Sequence, residues 1–278
     1  MSAKPDSVGI AMIATNRYLE LWFSAAKSLE SFAFLNYEKV VIHLFTNRCQ
    51  DARSWAKSNL ARITLKTHQI TGWGWPEATL FRYEFIKSYS NVFDEELLMY
   101  LDSDMILVGD IEKLLRPSDW INGLAFVQHP GFHRSKGLKG VRDVLVNPRL
   151  LSPKFKSVIS GVQGLGTWET NKSSLAYTPR KLRKNYVHGA IWFGLKSKFL
   201  SMCNELALNV ETDWNNNFIA KWHDESHLNW YFASHPSTLL DCRLSSVKNF
   251  KHLDQDNSLV FSAEKNFGEV REISNLQF

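Results

Sequence analysis

The chain has 278 residues, 44% of them hydrophobic and 22% charged, which suits one large domain or two small ones and is ordinary for a soluble globular protein. Its net charge of +5 is a mild attraction for anions such as phosphate-bearing substrates, but no nucleic-acid-binding motif accompanies it, so nucleic acid is set aside as a partner. Cys49, Cys203 and Cys242 are odd in number and lack Cys-x-x-Cys spacing, as expected of buried thiols in a reducing compartment.

Residues Ser2 to Ser7 are polar and precede a strand, so no signal peptide is expected. No run of 18 apolar residues occurs, which predicts a soluble, cytoplasmic protein without a transmembrane segment, peripheral to a membrane at most. Val8–Ala14 is a short, near-continuous apolar run, the pattern of a buried parallel strand. A helix is predicted from Tyr18 to Phe32, because Leu19, Trp22, Phe23, Ala26 and Leu29 keep helical spacing. Val40–Phe45 is the next strand and Ile63–Leu65 a third. Gly72–Pro76 is a turn-rich loop, Ala78–Ser88 a helix, and Leu97–Leu101 another apolar strand ending at Asp102-Ser103-Asp104. Strand–helix alternation of this kind implies an α/β fold with a mostly parallel sheet.

Residues 133–166 carry Arg134, Lys136, Lys139, Arg142, Arg149, Lys154 and Lys156 against one acid, Asp143. This basic insertion reads either as a functional loop or as a solvated one. Beyond it, Gly189–Gly194 is predicted as a strand, Lys196–Glu211 as a helix and Asp224 to about Ala233 as a second helix. Little is assigned after Asp241. The ten tryptophans are read first as core filling and second as flat platforms for sugar rings.

Two stretches carry candidate chemistry. Asp102 and Asp104 lie one residue apart where a strand turns into a loop, and ligands of open α/β sheets bind at the carboxyl ends of strands. Two such carboxylates suit Mg²⁺ or Mn²⁺, which completes its shell with substrate phosphates. The second stretch is KWHDESHLNWYF, residues 221–232. His223 and His227 are four apart, as zinc ligands on one helix face would be, and a zinc hydrolase is one reading. A zinc protease, however, needs Glu directly after the first His; here that place is Asp224, and Glu225 points to another face. The alternatives are helix-capping acids or two carboxylates facing a sugar, where one can stabilise or attack an oxocarbenium-like carbon.

WHDESHLNWYF at 222–232, HPGF at 129–132 and NYVHGAIWFG at 185–194 resemble the histo-blood-group A/B transferase and α1,3-galactosyltransferase family. TWETNKSSLAYTP at 167–179, IATNRYLELW near the start and GWPEATLFRYEFI before the Asp-x-Asp pair extend the likeness from about Val8 to Leu240. The resemblance implies a GT-A type fold in one domain over 1–278. Its parts would be a Rossmann-like nucleotide-binding half at about 8–110, an acceptor half at about 120–240, the basic insertion and a C-terminal tail at 241–278. It implies retaining transfer of galactose, less readily N-acetylgalactosamine, from a UDP-sugar to the 3-hydroxyl of a β-galactoside, with Mn²⁺ or Mg²⁺ as cofactor.

Carried over residue by residue, the resemblance places Ile13, Ala14, Thr15 and Tyr18 at the uridine, and Arg82 at the donor and at Asp102. Asp102 and Asp104 would hold the metal, with Ser103 between them in the donor site. His188, Gly189 and Ala190 would surround the donor sugar and Asp224 would bind its hydroxyls. His129, Thr167, Trp222 and His223 would meet a glycan acceptor ending in galactose, and Glu225 would be the catalytic carboxylate. Ala190 and His188 resemble the galactose-using members. Lacking the membrane anchor and stem of the animal members, the chain resembles bacterial or phage-type ones. Its insertion would suit an anionic or lipid-linked glycan, and Lys265 or Arg271 in the tail would suit the diphosphate. A UDP-sugar or glycan-binding protein without transfer is the competing reading, with little use for Glu225 beside an Asp-x-Asp pair.

Overall fold

A computed structural model describes residues 5–73, 77–132, 166–246 and 257–263. The basic insertion from 133 to 165, and Lys265 and Arg271, lie outside the described residues. Seven strands form one sheet in the order β3-β2-β1-β4-β7-β6-β8. These strands are β1 (Ser7–Ile13), β2 (Lys39–Thr46), β3 (Thr64–Gln69), β4 (Leu97–Leu101), β6 (Leu124–Gln128), β7 (Val187–Leu195) and β8 (Thr238–Leu240). The β3-β2-β1-β4 side is parallel. β7 then runs antiparallel to both β4 and β6, and β6 pairs with β8 in parallel. The mixed α/β sheet is thus mostly parallel and consistent with a GT-A type architecture, and the β4–β7 pairing joins its two sides.

Helix α1 (Tyr18–Phe32) has the predicted bounds, and Leu19, Trp22, Ala26 and Leu29 are fully buried against the sheet. Helix α2 is Cys49–Asn59. The helix expected over 78–88 is in fact two, α3 (Glu77–Leu80) and α4 (Arg82–Ser88), broken at Phe81, whose φ of −93° and ψ of 16° leave the helical well. The break turns Arg82 inward; its side chain is 4% exposed. Helix α5 (Lys196–Asn215) runs one turn beyond its predicted end, and α6 is His223–Ser234. A second, two-stranded sheet pairs β5 (Met105–Leu107), directly after Asp104, with β9 (Val260–Ser262).

The sheet has a core on each face, and β4 shows how. Leu97, Met99 and Leu101 enter one cluster while Leu98 and Tyr100 enter the other, as the two-residue period of a strand requires. All three cysteines are free and buried. Trp22, Trp120, Trp168 and Trp192 are core residues, as the first reading of the tryptophans has it, whereas Trp73 and Trp222 are exposed. No helix among the described residues is long and apolar enough to cross a membrane.

Candidate active site

The carboxyl end of β4, the start of β7 and the first turn of α6 enclose a cavity of about 170 Å³. At about 30 Å³ per liquid water, this is room for a small polar ligand and not only an ion. Nine of the residues expected at a site line it: Arg82, Asp102, His188, Gly189, Ala190, Trp222, His223, Asp224 and Glu225. Thr79 is a tenth lining residue, not anticipated from sequence.

Arg82 is the organising cation. Its Nη1 lies 3.3 Å from Asp102 Oδ1 and donates to the Gly189 carbonyl at 2.9 Å; its Nε lies 3.1 Å from Asp224 Oδ2 and donates to the Thr79 carbonyl. Burial works against its charge, but Asp102 and then Asp224 more than compensate and hold its pKa well above the ordinary value. One guanidinium therefore ties together segments 142 residues apart in sequence. Asp102 is tied also through its backbone, whose N–H donates to the Ala190 carbonyl at 2.9 Å.

Asp224 and Glu225 occupy the first turn of α6, where the helix dipole favours negative charge. Burial pushes both carboxyls up to about 7, against the pull of Arg82 on Asp224 and of the Gly189 N–H on Glu225. Asp224 Oδ2 is buried and ion-paired with Arg82 but accepts no hydrogen bond among the described residues, which leaves it able to take a ligand donor. Glu225 Oε2 accepts from the Gly189 N–H at 2.9 Å. A Cβ at Gly189 would stand 3.2 Å from the Glu225 side chain, so the missing side chain permits this close approach. The Tyr186 hydroxyl also hydrogen-bonds Glu225 and accepts from Thr167 Oγ1 at 3.2 Å. Thr167 thus reaches the site through Tyr186, a contact that sequence reading missed.

Asn229 fixes the helix to the strand. Its Oδ1 accepts from the Val187 N–H at 2.7 Å, and its amide donates to the carbonyls of Val187 and Glu225. His223, first in α6, has φ of 44°, a left-handed conformation uncommon outside glycine but less so for His than for most residues. This twist removes the face-sharing that a four-residue spacing would otherwise give His223 and His227. His223 lines the cavity, while His227 is fully buried, 3.5 Å from Asp213. The pair does not form a zinc site.

His129, His188 and Glu225 also converge, one ligand atom of each lying within 4.8 Å of the others. The Gly131 N–H donates to His129 Nδ1 at 3.0 Å. The His129 proton therefore sits on Nε2, and the ring offers a donor there and not a lone pair. That tautomer suits a hydroxyl or a carboxylate and disfavours a metal. Burial, and then the neighbouring His188, hold the His129 pKa well below its ordinary value, so it stays neutral. His188 Nδ1 shares a short hydrogen bond with Ser245 Oγ.

The remaining expected residues lie outside this cavity. Ile13 ends β1; Ala14 and Thr15 are buried just beyond it, and Tyr18 opens α1 at 36% exposure. The carboxyl ends of β1, β2 and β3 are knotted there by amides. Asn16 N–H donates to Asn47 Oδ1, Asn47 Nδ2 to Asn16 Oδ1, Asn16 Nδ2 to the Gly72 carbonyl and Thr15 Oγ1 to the Trp73 carbonyl. Asn16 takes φ of 52° to do so. Neither Asn47 nor Gly72 was singled out by sequence. Ser103 and Asp104 are buried behind Asp102, and the Asp104 carbonyl accepts from the Ala263 N–H at 2.7 Å. Asp102 and Asp104 supply only oxygen donors at a strand end, and the Asp102 side chain is 31% exposed. Such a pair fits a hard divalent cation.

Residues 159–271 match the model of Glycosyltransferase family 6. The chain is 25% identical over 244 residues to Histo-blood group ABO system transferase 1 of Rattus norvegicus, covering 84% of this chain and 58% of that protein. Glycosyltransferase family 6 is thus the family that the chain resembles. A second relative, Histo-blood group ABO system transferase 2 of Rattus norvegicus, is 24% identical over 241 residues, covering 84% and 60%. Globoside alpha-1,3-N-acetylgalactosaminyltransferase 1 of Gallus gallus is 36% identical over 74 residues, 26% of this chain and 22% of its own. The chain therefore spans less than two thirds of the length of the two rat transferases.

Proposed function

We propose that the protein is a retaining hexosyltransferase that moves galactose from UDP-galactose to the 3-hydroxyl of a β-galactoside, with N-acetylgalactosamine as the less favoured sugar. The observation that carries this reading is the pair of buried carboxylates, Asp224 and Glu225, in a cavity floored by β7, where Asp224 Oδ2 has the Arg82 ion pair but no hydrogen bond among the described residues. A sugar hydroxyl is the donor such an oxygen lacks. Asp224, oriented by Arg82, would then bind the donor sugar's hydroxyls, and Glu225 would face its anomeric carbon, held in place by Gly189 and Tyr186.

Asp102 and Asp104 would hold Mn²⁺ or Mg²⁺, which when bound neutralises charge on the diphosphate leaving group. Ile13, Ala14, Thr15 and Tyr18 would line the uridine at the end of β1. Ser103 packs behind the metal pair. His129, with its proton on Nε2, would donate to an acceptor hydroxyl, while Trp222, half exposed at the rim, would offer its ring face to the acceptor galactose. Thr167 and His223 would border the same acceptor. The Ala190 methyl, at the cavity wall, favours the sugar without an acetamido group, although a single methyl discriminates only modestly.

UDP release from UDP-galactose and from UDP-N-acetylgalactosamine, each with Mn²⁺ or EDTA and with or without lactose, tests this. Manganese-dependent release from UDP-galactose that lactose stimulates is expected. Release indifferent to acceptor would indicate a hydrolase, and no release from either donor would overturn the proposal.

A further inference from the structure

Tyr100 is the fourth residue of LLMYL, a stretch that reads as a purely apolar strand. Its ring does behave so. It lies directly opposite Trp192 in the antiparallel β4–β7 register and stacks on it at 5.1 Å and 12°. The Arg82 guanidinium lies 4.7 Å above the ring centroid, a cation–π contact strengthened by burial. Only 2% of the residue is exposed.

The hydroxyl does something else. Tyr100 and Asp102 are two residues apart, so strand pleating puts them on one face, and the Tyr100 hydroxyl donates to Asp102 Oδ1 at 2.8 Å. Arg82 Nη1 approaches the same oxygen at 3.3 Å. Both protein partners thus act on Oδ1, and among the described residues none engages Oδ2. A carboxylate held this way offers a cation one oxygen and not two.

Resting on the reading of Asp102 as a cation ligand, we propose that Tyr100 is a positioning residue. Its hydroxyl reserves Oδ1 of Asp102, so that the carboxylate meets the cation through Oδ2 alone. One consequence is affinity, because partners that orient a metal-binding carboxylate are worth about 10–100-fold in metal binding. Another is selectivity. Mg²⁺ demands near-octahedral geometry, which single-oxygen ligands satisfy, whereas Ca²⁺ readily takes a carboxylate through both oxygens. The geometry set by Tyr100 should disfavour Ca²⁺.

Mn²⁺ binding to the UDP complex, read from the electron paramagnetic resonance signal of free Mn²⁺, tests this without any turnover. Tyr100→Phe keeps the Trp192 stack and the Arg82 contact and removes only the hydroxyl. It should weaken Mn²⁺ binding by about tenfold, raise the affinity of competing Ca²⁺ relative to Mn²⁺, and leave UDP binding in EDTA and the melting temperature near wild type. Trp192→Phe disturbs the stack but spares the hydroxyl, and should retain wild-type Mn²⁺ affinity. Wild-type Mn²⁺ affinity in Tyr100→Phe would overturn the proposal, as would an equal loss in Trp192→Phe, which would make packing the cause. Asp102→Asn separates this failure from that of the underlying reading: if it too binds Mn²⁺ normally, Asp102 is not a ligand and the role of Tyr100 falls with it.

Discussion

The two sides of the sheet both bury acidic residues, and treat them in opposite ways. On the parallel side, Glu95 precedes β4 at the end remote from the cavity and is fully buried. His43 Nε2 donates to it at 2.9 Å and Lys39 lies 3.2 Å away. Burial would raise the Glu95 pKa, yet these partners draw it down to about 2. On the other side, Asp224 and Glu225 share one Arg82 with Asp102, and burial prevails, lifting both to about 7. Glu95 has Lys39 and His43 beside it, whereas Asp224 and Glu225 draw on a single guanidinium that Asp102 also uses, and so are held less firmly as anions.

Variants at these acids should make the contrast measurable. The largest effect is expected from Glu225→Gln, which should lower turnover by roughly 10²–10⁴-fold, the usual worth of a positioned acid–base or nucleophilic group, with little change in donor affinity. Rapid-quench kinetics beside calorimetric UDP-sugar titration would show it, and unchanged turnover would remove Glu225 from the chemistry. Next is Arg82→Met. Removing the shared cation leaves Asp102 and Asp224 unpaired, a loss of about 3–5 kcal/mol in urea unfolding. Arg82→Lys should recover only part of this, since an ammonium cannot span both acids with a planar fork.

A smaller effect, but one of distinctive sign, is expected from pH. A carboxyl whose pKa rises on folding binds more protons in the native state, so ionised Glu225 makes stability fall as pH climbs from about 4.5 to about 7. Glu95 does the reverse: its contribution is complete above about 4.5 and is lost as pH falls toward about 2. Melting temperatures across this range should therefore flatten on opposite flanks in Glu225→Gln and Glu95→Gln. If both variants flatten the same flank, the contrast is wrong. The smallest effect is expected from Trp222→Ala, which sits at an exposed rim. Stability should move by no more than about 0.5 kcal/mol, while the acceptor KM rises and the donor KM does not.

The parallel side was the easier to read from sequence. β1, β2, β4 and the limits of α1 follow from apolar runs and a clean helical period, because each packs on neighbours of one kind. β6 and β8 were not assigned. LAFVQ is only five residues long and TLL three, and both owe their strand state to pairing partners distant in sequence. Nine cavity residues were named in advance, but through family likeness and motif spacing; the local pattern left Asp224 and Glu225 open between capping and catalysis. The helix break at Phe81, the left-handed φ of His223 and the hydroxyl contacts of Tyr100 and Tyr186 were invisible. Each depends on the β4–β7 register or on a helix break, and tyrosines in apolar strands look like packing. His223 and His227, four apart, suggested a zinc pair only because a regular helix was assumed at 223.

The contacts of the segment from Ser245 to Ala263 bear on the order in which the protein acquires its working shape. Ser245 bonds His188, β9 pairs with β5, and the Ala263 N–H caps the Asp104 carbonyl. A ribosome adding about 5–20 residues per second delivers this segment well after β1 and β4 are available to pair. The sheet can therefore gather early, while the acidic strand end waits for its last partner. A released chain ending before Ser245 would still contain all seven strands of the large sheet, but would lack the partners of His188, β5 and the Asp104 carbonyl.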